Sequence, residues 1–243
     1  MIVRSLAFAL GLGLVAVFAP PAQASADGAA ADTGSVRLSN ERTFTSWAHP
    51  VQQSAAIRSQ PTARARQVTR THRLTEDGFP EVYLALRSWS NSKGRTWLKI
   101  RIPMRPNGAK GWVRDSALGP LYHVRTRLVV DRSSLRATLY RRGRQIWSAP
   151  VGIGAPSTPT PPGHFWIREK FKTSGGIYGP AAFGTSDYSV LTDWPGGGVI
   201  GIHGTDQPSL IPGRPSHGCI RVQNAAVSQL FRLMPIGTPL LIR

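Results

Sequence analysis

The chain has 243 residues, a single cysteine, and 30 Lys and Arg against 12 Asp and Glu, for a net charge of +18. One cysteine excludes an internal disulfide framework, and the cationic excess favours anionic partners. The basic residues are scattered through strand-like segments and do not gather in one arm or helix, which argues against nucleic acid.

Residues 1–24 carry the marks of a secretory signal peptide. Arg4 precedes a charge-free apolar run over residues 6–19, and Ala22-Gln23-Ala24 follows as a small-residue cleavage site. That run is short for a hydrocarbon core of ~30 Å, and no later stretch is apolar enough to span one. The expectation is a secreted, extracytoplasmic, cell-wall-associated protein. Its anionic partners would then be cell-wall polymers, carboxylated peptidoglycan stem peptides or anionic membrane surfaces. Residues 25–43 are rich in Ala, Gly, Ser and Asp without hydrophobic period, the composition of a disordered leader.

Over residues 44–119 the pattern is short strands and turns. Val82-Tyr83-Leu84-Ala85-Leu86 and the run from Thr96 to Ile102 read as strands, and Asn107-Gly108 reads as a turn before Gly111-Trp112-Val113. The ending Gly111-Trp112-Val113-Arg114-Asp115-Ser116-Ala117-Leu118 resembles the last strand and 3₁₀ turn of bacterial SH3-like barrels. That resemblance implies a small SH3-like β-barrel, which would bind wall material or pack on a neighbouring domain. Gly119-Pro120 marks a boundary, and residues 123–243 have the size of one further domain.

This second part opens with a meander: Arg127 to Asp131, Arg136 to Tyr140, the turn Arg142-Gly143, then Gln145-Ile146-Trp147. Phe165-Trp166-Ile167 and Val199-Ile200-Gly201-Ile202 read as further strands. Only residues 224–233 read as a helix, with Ala225, Val227, Leu230, Phe231 and Met234 on an apolar face. The fold class is mainly β: a β-sandwich with one helix, preceded by the small barrel. Residues 171–198 read as a long irregular loop, rich in Gly and aromatics, of the kind that is more often functional than accidental. Tyr178 and Trp194 are expected to line a groove there, while Phe183 and Tyr188 divide evenly between groove and core.

The chemistry concentrates in Ser216-His217-Gly218-Cys219-Ile220-Arg221, with His203 upstream in Ile202-His203-Gly204-Thr205. An unpaired thiol in an exported chain invites a catalytic reading, because a nearby histidine can act as its base or lower its pKa. His203 and His217 are both candidates. An extended segment at residues 216–220 would put His217 and Cys219 on one face, while His203 could pair across from a neighbouring strand. A backbone carbonyl, Ser216 or Asp206 could orient the base. Gly218 leaves room for amides to meet an oxyanion, and Arg221 could fork onto a substrate carboxylate. Zinc on His203, His217 and Cys219 is disfavoured because the spacing matches no familiar ligand motif. His49, His72, His123 and His164 have no such companions.

His203-Gly204-Thr205 followed by Ser216-His217-Gly218-Cys219-Ile220-Arg221-Val222 resembles the signature of the YkuD-type L,D-transpeptidase catalytic domain. Val130-Asp131, Leu139-Tyr140, Thr160-Pro161-Pro162-Gly163-His164-Phe165 and Gly179-Pro180-Ala181-Ala182-Phe183-Gly184 agree with it. The gap between His203 and Ser216 is shorter than the family commonly shows, which bears on the size of the loop over the site. The resemblance implies Cys219 as nucleophile and His203 as acid/base. His217 and Gly218 would shape the site, Arg221 would touch the peptide stem, and no cofactor would be needed; beside the resemblance, Ser216, Tyr178 and Trp194 are further candidates for substrate contact, and no metal is expected. It implies a monomer that attacks a tetrapeptide stem, releases D-Ala and forms a 3→3 cross-link. Hydrolysis instead would make it an L,D-carboxypeptidase, and a vestigial thiol would leave a non-catalytic wall-binding protein.

Overall fold

Short runs of alternating apolar residues build two sheets in a computed structural model that describes residues 34–193 and 195–243. The expected signal peptide, the first part of the leader and Trp194 lie outside the described residues. The first sheet holds Ser35–Arg37 (β1), Thr45–Ala48 (β2), Ala56–Arg58 (β3), Gln67–Arg70 (β4), Tyr83–Ser90 (β5), Thr96–Arg101 (β6), Lys110–Arg114 (β7) and Tyr122–Val124 (β8). They pair in the order β4-β3-β7-β6-β5-β2-β8, with β1 on β5. Ile57, Tyr83, Ile100 and Val113 are buried at the centre of this sheet's own core.

Two expectations are corrected here. Residues 34–43 are not a disordered leader. β5 is longer than its partner β2, and β1 covers the edge left over, with Ser35 opposite Trp89 and Arg37 opposite Arg87. Ser39 is buried and its hydroxyl accepts the Ser46 N–H at 2.8 Å. Hydrogen bonding to an open edge orders a segment that hydrophobic period could not reveal. The boundary also moves past Gly119-Pro120, because β8 still pairs with β2.

The second sheet holds Thr126–Asp131 (β9), Arg136–Arg141 (β10), Arg144–Gly154 (β11), Gly163–Trp166 (β12), Phe171–Lys172 (β13), Ala181–Tyr188 (β14), Val199–His203 (β15), Gly213–Ser216 (β16), Ile220–Val222 (β17) and Pro239–Ile242 (β18). The order is β12-β18-β9-β10-β11-β17-β15-β14-β13, with β16 also on β11. β11 spans both halves: its first part pairs β10 and its last part pairs β17 and β16. The halves face each other across one core, where Leu139, Val151 and Ile153 meet Phe183, Ile202 and Ile220. This is the expected mainly β sandwich, with the one α-helix of the described residues, Asn224–Leu233 (α1), packed on it. Val227, Leu230 and Met234 are fully buried and Phe231 partly so, but Ala226 and not Ala225 completes the apolar face.

The supposed loop at residues 171–198 contains β13 and the wholly buried β14. Both faces of β14 are covered, so it lacks the alternation of a half-exposed strand, and its buried Gly184, Thr185, Ser186 and Asp187 also break the apolar run that such burial usually brings. Thr185 Oγ1 donates to the Ile200 carbonyl at 2.7 Å. Phe183 and Tyr188 are therefore core residues.

The two sheets meet through a polar, buried seam. Arg168 pairs with Glu81, the Nε–Oε1 distance being 2.8 Å, and with Glu76 at 3.0 Å. The Trp166 indole donates to the Val82 carbonyl at 2.7 Å. Arg105 Nη2 donates to the carbonyls of Ser189, Leu191 and Gly197 at 3.0, 3.2 and 2.9 Å. Asn107 donates to Asp187 Oδ1 at 2.9 Å and to the Tyr188 carbonyl at 3.0 Å, while its own oxygen accepts the Tyr188 N–H at 3.1 Å. Removing one partner of a buried pair strands the other charge. Arg168→Met is expected to cost about 3–5 kcal/mol, seen as a Tm lower by roughly 6–20 °C. Adding Glu81→Gln should restore part of it, and an unchanged Tm in the single variant would contradict the seam.

Candidate active site

β15 and β17 run parallel, with Ile202 opposite Ile220 and His203 opposite Arg221. Side chains alternate along a strand, so Ile202 and Ile220 enter the core while His203 and Arg221 take the other face. Gly201 lies on that face too, and Cys219 enters β17 beside it. The Gly201 N–H donates to Cys219 Sγ at 3.4 Å. A methyl group at Gly201 would stand 3.7 Å from His203 Cδ2 and 3.8 Å from Cys219 Sγ. The glycine thus leaves open the space that thiol and imidazole share.

The segment leading into Cys219 is a bend, not a strand. Ser216 Oγ donates to the Cys219 carbonyl at 2.6 Å and accepts the Gly218 N–H at 3.2 Å. Gly218 has φ 123°, and a Cβ there would approach Ile200 Cδ1 to 2.7 Å, so only glycine fits. Its carbonyl accepts from Thr160 Oγ1 at 2.7 Å, and the same Thr160 oxygen accepts the Gly154 N–H at 2.9 Å. The bend corrects the premise that His217 and Cys219 share a face by strand alternation. His217 is exposed at the cleft mouth, and His203 is buried.

His203 Nδ1 stands 2.6 Å from the Gly204 carbonyl oxygen. A carbonyl only accepts, so Nδ1 carries the proton and Nε2 keeps its lone pair. Of the three candidate orienting groups, the backbone carbonyl is the one in contact. Tyr178 covers the ring edge-on, with centroids 5.1 Å apart. Arg221 Nη1 donates to Gln207 Oε1 at 3.0 Å, while its buried Nε has no protein partner. Ser216 lines the cleft, but its hydroxyl is held by loop backbone. Cys219, His203, His217, Arg221, Ser216 and Tyr178 border one cleft of about 80 Å³. Among the described residues no cluster of three or more His, Cys, Asp or Glu is arranged to hold a metal.

Burial raises the Cys219 pKa, against the Gly201 N–H and the Arg221 charge that lower it. Burial also lowers that of His203, helped by Arg221 and opposed by the Gly204 and Ile177 carbonyls. Both shifts favour the neutral pair over a thiolate–imidazolium pair. Sequence reading missed Gly201, the Thr160 clamp and Ser189 on the cleft wall. A glycine inside the strand run Val199 to Ile202 was the available signal for the first.

Residues 125–242 match the family model of YkuD, the L,D-transpeptidase catalytic domain. The YkuD protein of Bacillus licheniformis is 33% identical over 112 residues, covering 46% of this chain and 62% of that one. The YkuD protein of Bacillus subtilis is 30% identical over 117 residues, covering 48% and 65%. This chain thus spans less than two thirds of the length of either relative. A crystal structure of an Enterococcus faecium L,D-transpeptidase variant is 28% identical over 49% of each chain, with a TM-score of 0.38.

A neutral resting pair has a measurable signature. Alkylation of Cys219 by iodoacetamide should be slow at neutral pH and still rising above about pH 8.5, the ordinary thiol value. A plateau extending below pH 6 would mean an ion pair and refute the assignment. Gly218→Ala should lower stability by about 1–3 kcal/mol through strain and overpacking, measured by thermal unfolding.

Proposed function

We propose that the YkuD-type catalytic domain at residues 125–242 carries out cysteine-dependent acyl transfer on peptidoglycan stem peptides. The observation that supports this most directly is the arrangement over Gly201. Cys219 Sγ and the His203 ring border one gap, and the Gly204 carbonyl at 2.6 Å from Nδ1 holds the Nδ1 proton, which assigns the role of base to Nε2.

In the proposed sequence, Nε2 of His203 takes the thiol proton as Sγ attacks the carbonyl carbon of the stem's third residue. The oxyanion meets the N–H of Cys219, since that of Gly218 is held by Ser216 at 3.2 Å. The carbon–nitrogen bond breaks, the imidazolium returns its proton to the amine, and D-Ala leaves a thioester on Cys219. The side-chain amine of a second stem attacks this thioester and gives a proton to His203, and the thiolate departs from a 3→3 cross-link. Water in place of the amine gives an L,D-carboxypeptidase. Arg221 offers its unpartnered Nε to a stem carboxylate, and the Tyr178 ring covers the imidazole on the substrate side. Each step is acyl transfer with protons moving through one histidine, so no cofactor is required. The sheet over residues 35–124 is read as the SH3-like module, and the protein is read as exported, monomeric and associated with the wall.

The test is incubation with a disaccharide tetrapeptide followed by mass spectrometry. Loss of D-Ala with a cross-linked dimer is expected, and loss without dimer would assign hydrolysis. Cys219→Ala should lower turnover by more than about 10³-fold, and unchanged turnover would sink the proposal. His203→Ala should cost roughly 10²–10⁴-fold in thioester formation, with His217→Ala much milder. The reverse ranking would reassign the base.

A further inference from the structure

We propose that a second concavity, remote from Cys219, is a binding site for a linear phosphate-bearing polyanion. It has a volume of about 940 Å³ and shares no lining residue with the cysteine cleft. Four separate parts of the chain bring cations to it: Arg125 before β9, Arg141, Arg142 and Arg144 around the β10–β11 turn, Lys170 before β13, and Arg232 in the last turn of α1. No acidic side chain lines it. The ion pairs among the described residues join Arg101 to Glu41, Arg168 to Glu76 and Glu81, and Arg243 to Asp131, and none involves these six.

Like charges gathered in a hollow repel one another unless an anion joins them. The fold nevertheless holds several in place. Arg141 Nη2 reaches the Leu233 carbonyl at 3.4 Å, Lys170 Nζ lies 4.5 Å above the Phe231 ring, and the Arg125 guanidinium lies 5.8 Å from the Phe44 centroid. Heads ordered before binding lower the entropy lost on binding. Arg142 sits at φ 52° in the tight turn with Gly143. Asn or Gly would hold that left-handed position at less cost, so the turn keeps a cation where strain disfavours it.

The shape chooses among anionic partners. A concave wall admits a flexible chain whose charges repeat along its length. A bilayer would need a flat or protruding face with apolar tips, and here the apolar contribution is Ile146, Leu233 and Pro235 along the wall. Single-stranded nucleic acid would need stacking platforms, and no Phe, Tyr or Trp lines the hollow.

The probe is fluorescently labelled long-chain inorganic polyphosphate, titrated with the full chain between 50 and 200 mM salt and read by anisotropy. Arg141→Glu with Arg144→Glu and Arg232→Glu is expected to weaken binding at least about 30-fold and to flatten the log–log salt slope by roughly two to three units, one per lost contact. The control with the same charge change, Arg37→Glu with Arg66→Glu and Arg73→Glu, should weaken it less than fivefold. Equal losses in the two triple variants would show a non-specific effect of net charge and overturn the site. Tighter groove-dependent binding to phosphatidylglycerol vesicles or to an oligonucleotide would overturn the choice of partner. If the Glu variant melts below the assay temperature, the Gln triple replaces it, with at least a tenfold loss expected and no loss refuting the site. The iodoacetamide rate at Cys219 should be unchanged in every variant, because the hollow is separate from the cleft.

Discussion

The parallel pairing of β15 with β17 is the constraint on which the site depends. Parallel register puts His203 level with Arg221 and leaves Gly201 beside Cys219. Two residues far apart in sequence thereby share a face of one sheet without help from any flexible loop. The glycine is the third member of the arrangement, since a methyl group there would contact both the His203 ring and Cys219 Sγ. Parallel neighbours require a crossover, and here it runs through residues 204–219 and carries β16 and the Ser216–Cys219 bend. The link that brings the strands into register therefore also carries Cys219 to the site.

A second layer of support comes from the first sheet. Ser189 and Gly198 line the cleft, and both belong to the segment that follows β14. Arg105 holds that segment by three carbonyls, and Asn107 holds its start at Asp187 and Tyr188. Ser189 in turn packs beside Gly218, where an added Cβ would meet its hydroxyl at 3.5 Å. Contact thus runs from a turn of the first sheet to the residue before Cys219. The seam is polar and not everywhere satisfied: Asp187 Oδ2 and Glu169 Oε2 are buried without partners. Burial pushes these carboxyls up to about 8 and about 7 respectively, so the seam lowers its electrostatic cost by keeping protons. Each such group makes the folded state bind protons that the unfolded chain releases, so its contribution declines as pH rises from the ordinary carboxylate range to those values.

What was legible in the sequence follows the physics of each signal. The strands read at Val82 to Leu86 and Thr96 to Ile102 and the helix read at residues 224–233 have clear periods, and the structure has strands at Tyr83–Ser90 and Thr96–Arg101 and the helix at Asn224–Leu233. The Cys219–His203 combination was legible because few roles suit a lone thiol beside spaced histidines. β14 was not legible, because a strand covered on both faces loses alternation and its Gly and Ser residues imitate a loop. β1 was hidden because hydrogen bonds to an open edge order it, not apolar burial. The shared face expected of His217 and Cys219 in an extended segment is absent because a single glycine at φ 123° turns the chain between the two residues.

The resting charge state ties the site to its surroundings. A thiolate–imidazolium pair would need polar solvation for both ions. Here Ile200 and Gly218 close one side and Tyr178 another, and Arg221 opposes a charge on the imidazole. The neutral pair is the form that such burial allows. A protonated thiol is a poor nucleophile and also a poor substrate for oxidants. The Arg221 charge acts on the two partners in opposite senses, since it disfavours a proton on His203 and favours a thiolate at Cys219, so burial of both groups is what decides for the neutral pair.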